Sequence, residues 1–216
     1  MAVTNNIGAP CLLYKGGVIK AANQLFNKTA ARLAAKQTKG TTKKFVGSRN
    51  YYRALRKRNN RISDDIHKTA KALVQWCVEN RIDTIVMGKN RGWKQNSDMS
   101  KRSNQNFVQI PFHQLQWNIT YLAERYGIFV VKQEESYTSK ASFLDGDVIP
   151  VYGETDKTPT FSGKRTSRGV YRSSNGTIIN ADLNGSANIL RKAYGNAFED
   201  RAPLFHKTTV IRHPNL

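Results

Sequence analysis

Cysteine is scarce in this chain of 216 residues, which has only Cys11 and Cys77, far apart in sequence. Two cysteines so placed build neither a disulfide framework nor a four-cysteine zinc site. A reducing, cytoplasmic setting is therefore expected. Cys77 lies on the apolar side of a predicted helix and is interpreted as a small buried hydrophobic residue.

Long apolar runs are missing as well. No stretch approaches the length that spans a bilayer, and the first residues lack the charged and apolar regions of a secretory signal. A basic amphipathic helix with a bulky apolar face does not stand out either, which disfavours a membrane surface as partner. The sequence therefore predicts no membrane association.

Acidic residues are few, with 15 Asp and Glu against 35 Lys and Arg, so the net charge is +20. This excess predicts a polyanionic partner, and nucleic acid is the leading candidate. Hydrophobic residues make up 39% of the chain, enough for a sizeable core, which argues against a disordered protein. The length fits one domain, or one domain with an insertion.

Helical and strand-like patterns alternate along the chain. Helices are predicted over 23–35, 49–80, 112–126 and 182–197, and strands within 1–21 and over 82–87, 128–131 and 178–179. The strands at 82–87 and 128–131 are almost wholly apolar and are expected to be buried. Asp64 and Asp65 interrupt the basic run of the second helix and indicate either a new turn or pairing with nearby arginines. This order predicts an α/β fold.

Six ordered segments carry a family resemblance. They are Ile85–Asn90, Trp93–Gln95, Asn104–Phe112, Glu135–Lys140, Phe161–Arg165 and Asn180–Ile189. Together they resemble the TnpB/OrfB family of bacterial and archaeal insertion sequences, over roughly residues 19–194. The segments are long, specific and in the family's order, which chance similarity does not produce.

This resemblance implies an RNase H-like (RuvC-type) domain, a mixed sheet flanked by helices, in an RNA-guided DNA endonuclease associated with transposition. The implied partners are DNA and a guide RNA, with no small-molecule cofactor, in the prokaryotic cytoplasm at the nucleoid. The implied site has three acidic residues that hold two divalent ions, Mg²⁺ or Mn²⁺, across the scissile phosphate.

Two of the three acids are identified by the resemblance. Asp182 matches the last catalytic Asp, at the start of the final helix, where the helix dipole also favours a carboxylate. Many members place the middle acid directly after the strand at 85–87, where this chain has Gly88. Some relatives instead use a Glu just ahead of Thr-Ser-Lys, which is Glu135 here, with Glu134 as the competing choice. Glu135 and Asp182 are therefore the predicted catalytic and metal-binding residues.

The first acid of the family lies in an Asp-x-Gly motif ahead of the segment that resembles residues 1–6. The sequence therefore predicts an incomplete RuvC-like domain over 1–200 and a flexible tail over 201–216. Whether the chain is an enzyme stays open at this point. It is a metal-dependent nuclease if the first Asp is supplied, and otherwise a catalytically inactive nucleic-acid-binding remnant.

A zinc ribbon is common in the family, but here an insert at about 138–176 replaces it. Residues 141–147 and 161–169 stand where the cysteine pairs are expected, so a ribbon-like, irregular insert without zinc is predicted. Asp145 and Asp147 flank Gly146. They indicate either an extra metal site or ordinary turn chemistry, and turn chemistry is favoured.

Cations cluster in three places. Six lie within residues 49–61, which indicates phosphate contact, although a solvated helical face is the usual meaning of such a run. A second group surrounds Trp93 and predicts stacking on a displaced single strand, with a simple mobile loop as an equal alternative. A third group lies beside the expected cleft. The predicted nucleic-acid-binding residues are Arg49, Arg53, Arg56, Arg58, Arg61, Lys89, Arg91, Trp93, Lys94, Lys140, Lys164 and Arg165.

Overall fold

The computed structural model describes residues 1–89, 110–153 and 158–212. These residues form two compact units. The sheet unit contains the described residues within 1–15, 82–93 and 126–211, and the helical unit contains those within 16–81, 94–125 and 212–216. A single domain is expected from the sequence over 1–200, whereas the helices that follow the first hairpin form a unit of their own.

The described residues of the helical unit form three helices: α1 (Gly17–Thr38), α2 (Arg49–Glu79) and α3 (Phe112–Arg125). The long α2 packs against both α1 and α3. Ile19 and Ala22 of α1 form a buried cluster with Ile62 and Ile66 of α2. No helix in the described parts of the chain is both long and apolar enough to cross a membrane.

Helix α2 is continuous, so no new turn begins at Asp64. Its N-terminus is capped by the hydroxyl of Ser48, which accepts a hydrogen bond from the backbone N–H of Tyr51. Asp64 pairs with Lys68 one turn later, at 3.0 Å, rather than with an arginine. Cys77 is 2% exposed, which confirms the prediction of a buried hydrophobic residue. Burial raises the pKa of its thiol to about 11.

The sheet unit contains eight described strands and helix α4 (Ala181–Ala193). The strands are β1 (Ala2–Val3), β2 (Pro10–Tyr14), β3 (Thr84–Lys89), β4 (Phe129–Glu134), β5 (Lys164–Ser167), β6 (Val170–Arg172), β7 (Ile178–Asn180) and β8 (Leu204–Ile211). Their hydrogen bonds give the sheets β1-β2-β8, β3-β4 and β5-β6-β7. The α/β composition is confirmed, but the described strands form three small sheets rather than one mixed sheet.

The segment expected to be a flexible tail over 201–216 contains a strand. Residues Leu204–Ile211 form β8, which pairs in parallel with β2. Phe205 also packs edge-on against Phe143, with ring centroids 5.6 Å apart. The prediction was wrong for these residues because a strand that pairs with the other end of the chain has no local partner to indicate it.

Strands β3 and β4 were expected to be buried, and most of their side chains are not. Met87 is the one buried residue of β3, and β4 has none. Phe129 is 73% exposed. The two strands pair in parallel with each other, and helix α4 packs against both. A two-stranded sheet covers less of its own side chains than the large parallel sheet that an apolar run usually indicates.

Candidate functional site

Glu135 lies against Gly88 at the carboxyl ends of β3 and β4. The two strands are in register there, with Gly88 opposite Gln133 and Lys89 opposite Glu134. A Cβ atom added to Gly88 would lie 2.6 Å from Cδ of Glu135 and 2.7 Å from its Cγ, and would contact its Oε1. The Glu135 side chain therefore occupies the space that a side chain at position 88 would need.

Glu134 is partly exposed but is held by an ion pair and hydrogen bonds. Its Oε2 is 2.5 Å from the ammonium Nζ of Lys192 on α4, and its Oε1 accepts from the backbone N–H of Ser136 at 2.5 Å and from the Ser136 hydroxyl. The Lys192 side chain is only 6% exposed, and it also donates to the carbonyls of Ser136 and Pro150, each at 3.1 Å. This ion pair holds the turn from which Glu135 projects.

The two neighbouring carboxyls have pKa values shifted in opposite directions. Burial alone would raise the pKa of Glu134, but hydrogen bonds from Lys192 and Ser136 outweigh burial and hold the pKa below its ordinary value. Burial raises the pKa of Glu135, and the negative charge of Glu134 raises it further. Ionised Glu135 is thus the poorly compensated carboxylate of the pair, which an added cation would stabilise.

Two buried asparagines attach the segment after Glu135 to helix α4. Asn184 accepts from the backbone N–H of Phe143 at 3.0 Å and donates to the carbonyl of Ala141 at 2.8 Å. Asn188, one turn later, donates to the carbonyls of Thr138 and Ala141 at 2.9 and 2.7 Å. Both asparagines are 0% exposed. These hydrogen bonds explain why the segment Asn180–Ile189 has asparagines four residues apart.

Asp182 is on the same helix, in its first turn, and is exposed. Other polar residues of the motif have structural roles: Asn180 caps α4 by accepting from the N–H groups of Asp182 and Leu183, and Ser186 lies 3.1 Å from the Thr4 hydroxyl. Within the described residues, the Asp182 carboxylate has no hydrogen bond or ion pair. It is therefore available to a ligand at the positive end of the helix.

The structure thus builds Glu135 and Asp182 on one framework, the segment that follows β4 and the helix bonded to it. Carboxylate oxygens are the ligands that Mg²⁺ and Mn²⁺ prefer, so the donor chemistry fits a divalent ion. Among the residues that the structure describes, however, no group of three His, Cys, Asp or Glu side chains is placed to hold a metal. By donor type, these two carboxylates suit a divalent ion, and their joint role as its ligands stays a prediction.

Asp145 and Asp147 take part in turn and loop hydrogen bonding in the ribbon-like insert. Asp147 accepts from the backbone N–H of Ser142 at 2.7 Å and from the hydroxyl of Ser162 at 2.6 Å. Asp145 accepts from the backbone N–H and the hydroxyl of Ser174, at 3.0 and 2.5 Å. These contacts join the two ends of the insert, which favours the turn interpretation over an extra metal site.

Most of the predicted cations on α2 are exposed. Arg49, Arg53, Arg56 and Arg61 all face solvent. Arg58 differs, because its Nε donates to Oδ1 of the buried Asn23 on α1 at 2.7 Å and its Nη1 donates to Asn59 at 2.8 Å. The structure therefore gives Arg58 a role in helix packing.

Sequence reasoning missed a cationic stripe on α1, formed by Lys28, Arg32 and Lys36. The three side chains are exposed, follow one another at a four-residue spacing, and lie on a helix that contains no acidic residue. Lys57 similarly extends the exposed row of α2. Like charges at this spacing repel each other, so such a row indicates a polyanionic partner. The repeat of four in the sequence was the available signal.

Comparisons with known proteins identify the family. Residues 1–94 match a sequence model of the IS605 OrfB family, described as a probable transposase, and residues 112–189 match the Cas12f1-like TNB domain. The chain belongs to the TnpB/OrfB family. No protein with a curated description matches the sequence.

A solved structure supports the TnpB/OrfB assignment at the level of the fold. The protein is similar to Cas12f1 in the cryo-EM structure of the Cas12f1–sgRNA–target DNA complex, with 17% sequence identity and a TM-score of 0.50. The similarity covers 77% of this chain and 40% of that one. This TnpB/OrfB chain therefore spans less than half the length of the protein whose fold it resembles.

The remaining predicted contacts of this TnpB/OrfB protein fall in two groups. Lys89 at the end of β3 is exposed, as are Lys140, Lys164 and Arg165. Lys164 and Arg165 belong to β5, whose four residues all face solvent. Arg91, Trp93 and Lys94 lie outside the described residues, so the stacking predicted for Trp93 stays a prediction.

Proposed function

We propose that this chain forms the RuvC-like nuclease part of a TnpB-type, RNA-guided DNA endonuclease. Glu135 and Asp182 are two carboxylates of its divalent-metal site. One observation carries the proposal: the Glu135 side chain fills the space beside Gly88, the position at which many family members have their middle acid. A carboxylate thus reaches the same strand end from a different position in the sequence.

Glu135 is proposed over Glu134 because of their partners. Glu134 is neutralised by Lys192 and bonded to Ser136, so a metal would have to break an existing ion pair to reach it. Glu135 is partly buried beside a negative charge, which favours cation binding. The two residues therefore have different roles: Glu134 positions the turn, and Glu135 binds the metal.

Phosphodiester hydrolysis at this site requires a third carboxylate, which the resemblance places in an Asp-x-Gly segment. Divalent ions, when bound, activate the attacking water and stabilise the leaving oxygen. Asp182, at the helix N-terminus, and Glu135, at the strand ends, bind and orient them. Lys140, Lys164 and Arg165 contact the phosphates of the substrate.

Nucleic acid is the proposed partner of the cationic helices. The Cas12f1 structure is a complex with sgRNA and target DNA, and we extend both partner classes to this chain. The exposed cations of α1 and α2 contact the phosphate backbone, which is independent of sequence and sensitive to salt.

The proposal is tested by moving the middle acid. The chain is fused behind a family Asp-x-Gly strand and assayed for Mg²⁺-dependent DNA cleavage with guide RNA. Asp182→Ala and Glu135→Ala are each expected to abolish cleavage. The double variant Gly88→Glu with Glu135→Ala is expected to restore part of it, because the carboxylate returns to the vacated space. Manganese binding by the unfused chain, measured calorimetrically, is expected to weaken in Asp182→Asn and Glu135→Gln.

Asp64→Asn is the matched control, since it removes an exposed acid of α2 that pairs only with Lys68 among the described contacts. It is expected to leave cleavage and manganese binding unchanged. Cleavage that survives Asp182→Ala would sink the assignment. Two results together would assign the middle metal-binding acid to Glu134 instead of Glu135. They are a failure of Gly88→Glu to restore cleavage and a loss of cleavage in Glu134→Ala.

A second candidate is a non-catalytic nucleic-acid-binding protein. It is favoured by the observation that the described residues supply no three-residue metal group, while their cations are retained. Under this function the fused chain binds DNA or guide RNA but never cleaves, with every acid variant equal to wild type. The same set of variants therefore separates the two functions.

A further inference from the structure

Helix α3 carries a row of planar side chains on its exposed side. His113, Trp117, Tyr121 and Arg125 occur at every fourth position and are all exposed. Trp117 is 65% exposed and Tyr121 47%. Residues four apart are neighbours on a helix surface, so the four form one continuous row, which we call the α3 planar row.

The middle of the α3 planar row is ordered as a stack. The rings of Trp117 and Tyr121 are parallel to within 1°, with centroids 5.5 Å apart. The guanidinium carbon of Arg125 lies 5.8 Å from the centre of the Tyr121 ring, within reach of a cation–π contact. Trp117, Tyr121 and Arg125 are thus held by their neighbours, which lowers the entropy that a ligand must remove on binding.

Packing of the helical unit does not account for this row. Helix α3 already buries Ile119, Ala123 and Asn118 on its other side and packs against α2. The aromatic rings instead form a contiguous exposed patch, and such patches usually indicate an interaction site.

We infer that the α3 planar row is a stacking platform for a single-stranded nucleic acid. This inference rests on the proposed nucleic-acid-binding function and deepens it by naming the site and strand form. Bases stack on aromatic faces whatever their sequence, and arginine adds a cation–π contribution. The +20 charge of the chain and the exposed cationic rows of α1 and α2 supply the attraction for a phosphate backbone.

Trp, Tyr and Arg are also enriched at protein interfaces, so the composition of the row does not by itself select the partner. The net charge of +20 favours a polyanion over a protein. The large hydrophobic residues exposed on α3 are Trp117 and Tyr121 alone, and both are aromatic. Glu124 is the one acid of α3 and is exposed close to Arg125. A strand of phosphates beside the row would be repelled by Glu124, so its neutralisation should strengthen binding.

The experiment titrates the chain with a short oligothymidylate and follows tryptophan fluorescence. The chain has three tryptophans, so replacing Trp76 and Trp93 by Phe leaves Trp117 as the reporter. Binding is expected to quench Trp117. The Trp117 variants have lost the reporter ring, so their affinity is measured by the fluorescence anisotropy of a labelled oligothymidylate. Replacing Trp117 by Ala or by Leu should weaken binding by about 5- to 150-fold, the range that one stacked base contributes. Leu keeps apolar bulk but not a planar face, and Phe at this position should retain most of the affinity.

Tyr152→Ala is the matched control, because Tyr152 is a 78% exposed tyrosine outside α3. It should bind as wild type, and Glu124→Gln should bind more tightly. Circular dichroism verifies the fold of each variant.

Three outcomes decide the inference. The first is that wild type, Trp117→Ala and Trp117→Leu bind oligothymidylate equally tightly and that Trp117 fluorescence is not quenched. This result overturns the platform but leaves the proposed function intact. A wild-type chain that binds neither this oligonucleotide nor duplex DNA overturns the proposed function itself. Loss of self-association in Trp117→Ala, with unchanged oligonucleotide affinity, shows that the row is a protein surface and overturns the inference.

Discussion

Adjacent residues in one turn can have opposite effects on stability, and Glu134 and Glu135 are expected to show this. The raised pKa of Glu135 means that ionisation opposes folding, so its cost appears as the pH rises above the ordinary carboxyl value of 4.5. Glu135→Gln should therefore stabilise the metal-free protein at neutral pH, by less than about 1.4 kcal/mol because solvent screens the site. Urea denaturation at neutral and acid pH measures the difference, which should vanish in acid.

Glu134→Gln is the matched comparison and should act in the opposite direction. Its pKa is lowered in the folded protein, so its stabilising effect is complete above the ordinary carboxyl value and is lost as the pH falls through the lowered pKa. Removing its charge leaves the Lys192 ammonium with carbonyl acceptors only. The free energy of unfolding should therefore fall by about 1 kcal/mol at neutral pH. Shifts of the same sign in both variants would contradict the assigned environments.

The family resemblance predicted Glu135 as the middle acid, with Glu134 as the competing choice, because Gly88 stands where many members have a Glu. The structure places the Glu135 side chain beside Gly88, and its metal-binding role stays a prediction. Lys192 was not predictable. It is 58 positions from Glu134, and a lysine in the last turn of a helix usually faces solvent. Long-range ion pairs leave no periodic signal in the sequence.

Among the structural elements, the ribbon-like insert is held by aspartates and serines rather than by a metal. Asp147→Ala removes acceptors for the N–H of Ser142 and for Ser162, and should lower the free energy of unfolding by about 1–2 kcal/mol. Asp147→Asn keeps an oxygen acceptor and should lose less. Thermal unfolding with and without a chelator measures both effects. A chelator that destabilises wild type as much as Asp147→Ala would indicate a metal in the insert.

Element boundaries were predictable where the hydrophobic pattern was local. The apolar face of α2 from Ile62 to Cys77 indicated its second half, and the continuity through Asp64 follows because a carboxylate inside a helix pairs with a cation one turn away. Strand β8 was missed because its pairing with β2 is set by tertiary structure. The exposure of β3 and β4 was also not predictable, because an apolar run does not indicate how many neighbouring strands or helices will cover it.

At the scale of the whole molecule, part of the net charge of +20 lies in rows of exposed cations on the described helices. The rows on α1 and on α2 have a four-residue spacing, and the α3 planar row repeats it with rings in place of most charges. A row of unpaired cations lowers helix stability on its own, so a partner that neutralises it explains its presence better than solvation does. We therefore propose that the helical unit combines phosphate contacts with a surface for bases.

Removing the row on α1 tests whether the charge is used in this way. Replacing Lys28, Arg32 and Lys36 by Gln should weaken duplex DNA binding and reduce the slope of log affinity against log salt by up to about 3, since each phosphate contact contributes about one unit. Lys68→Gln is the control on α2, because Lys68 already pairs with Asp64 and should leave the slope unchanged. Filter binding over a salt series measures both slopes. Equal slopes in the triple variant and wild type would make the row a solvated helix face, and the polyanion would then have to be bound by α2 and the sheet unit alone.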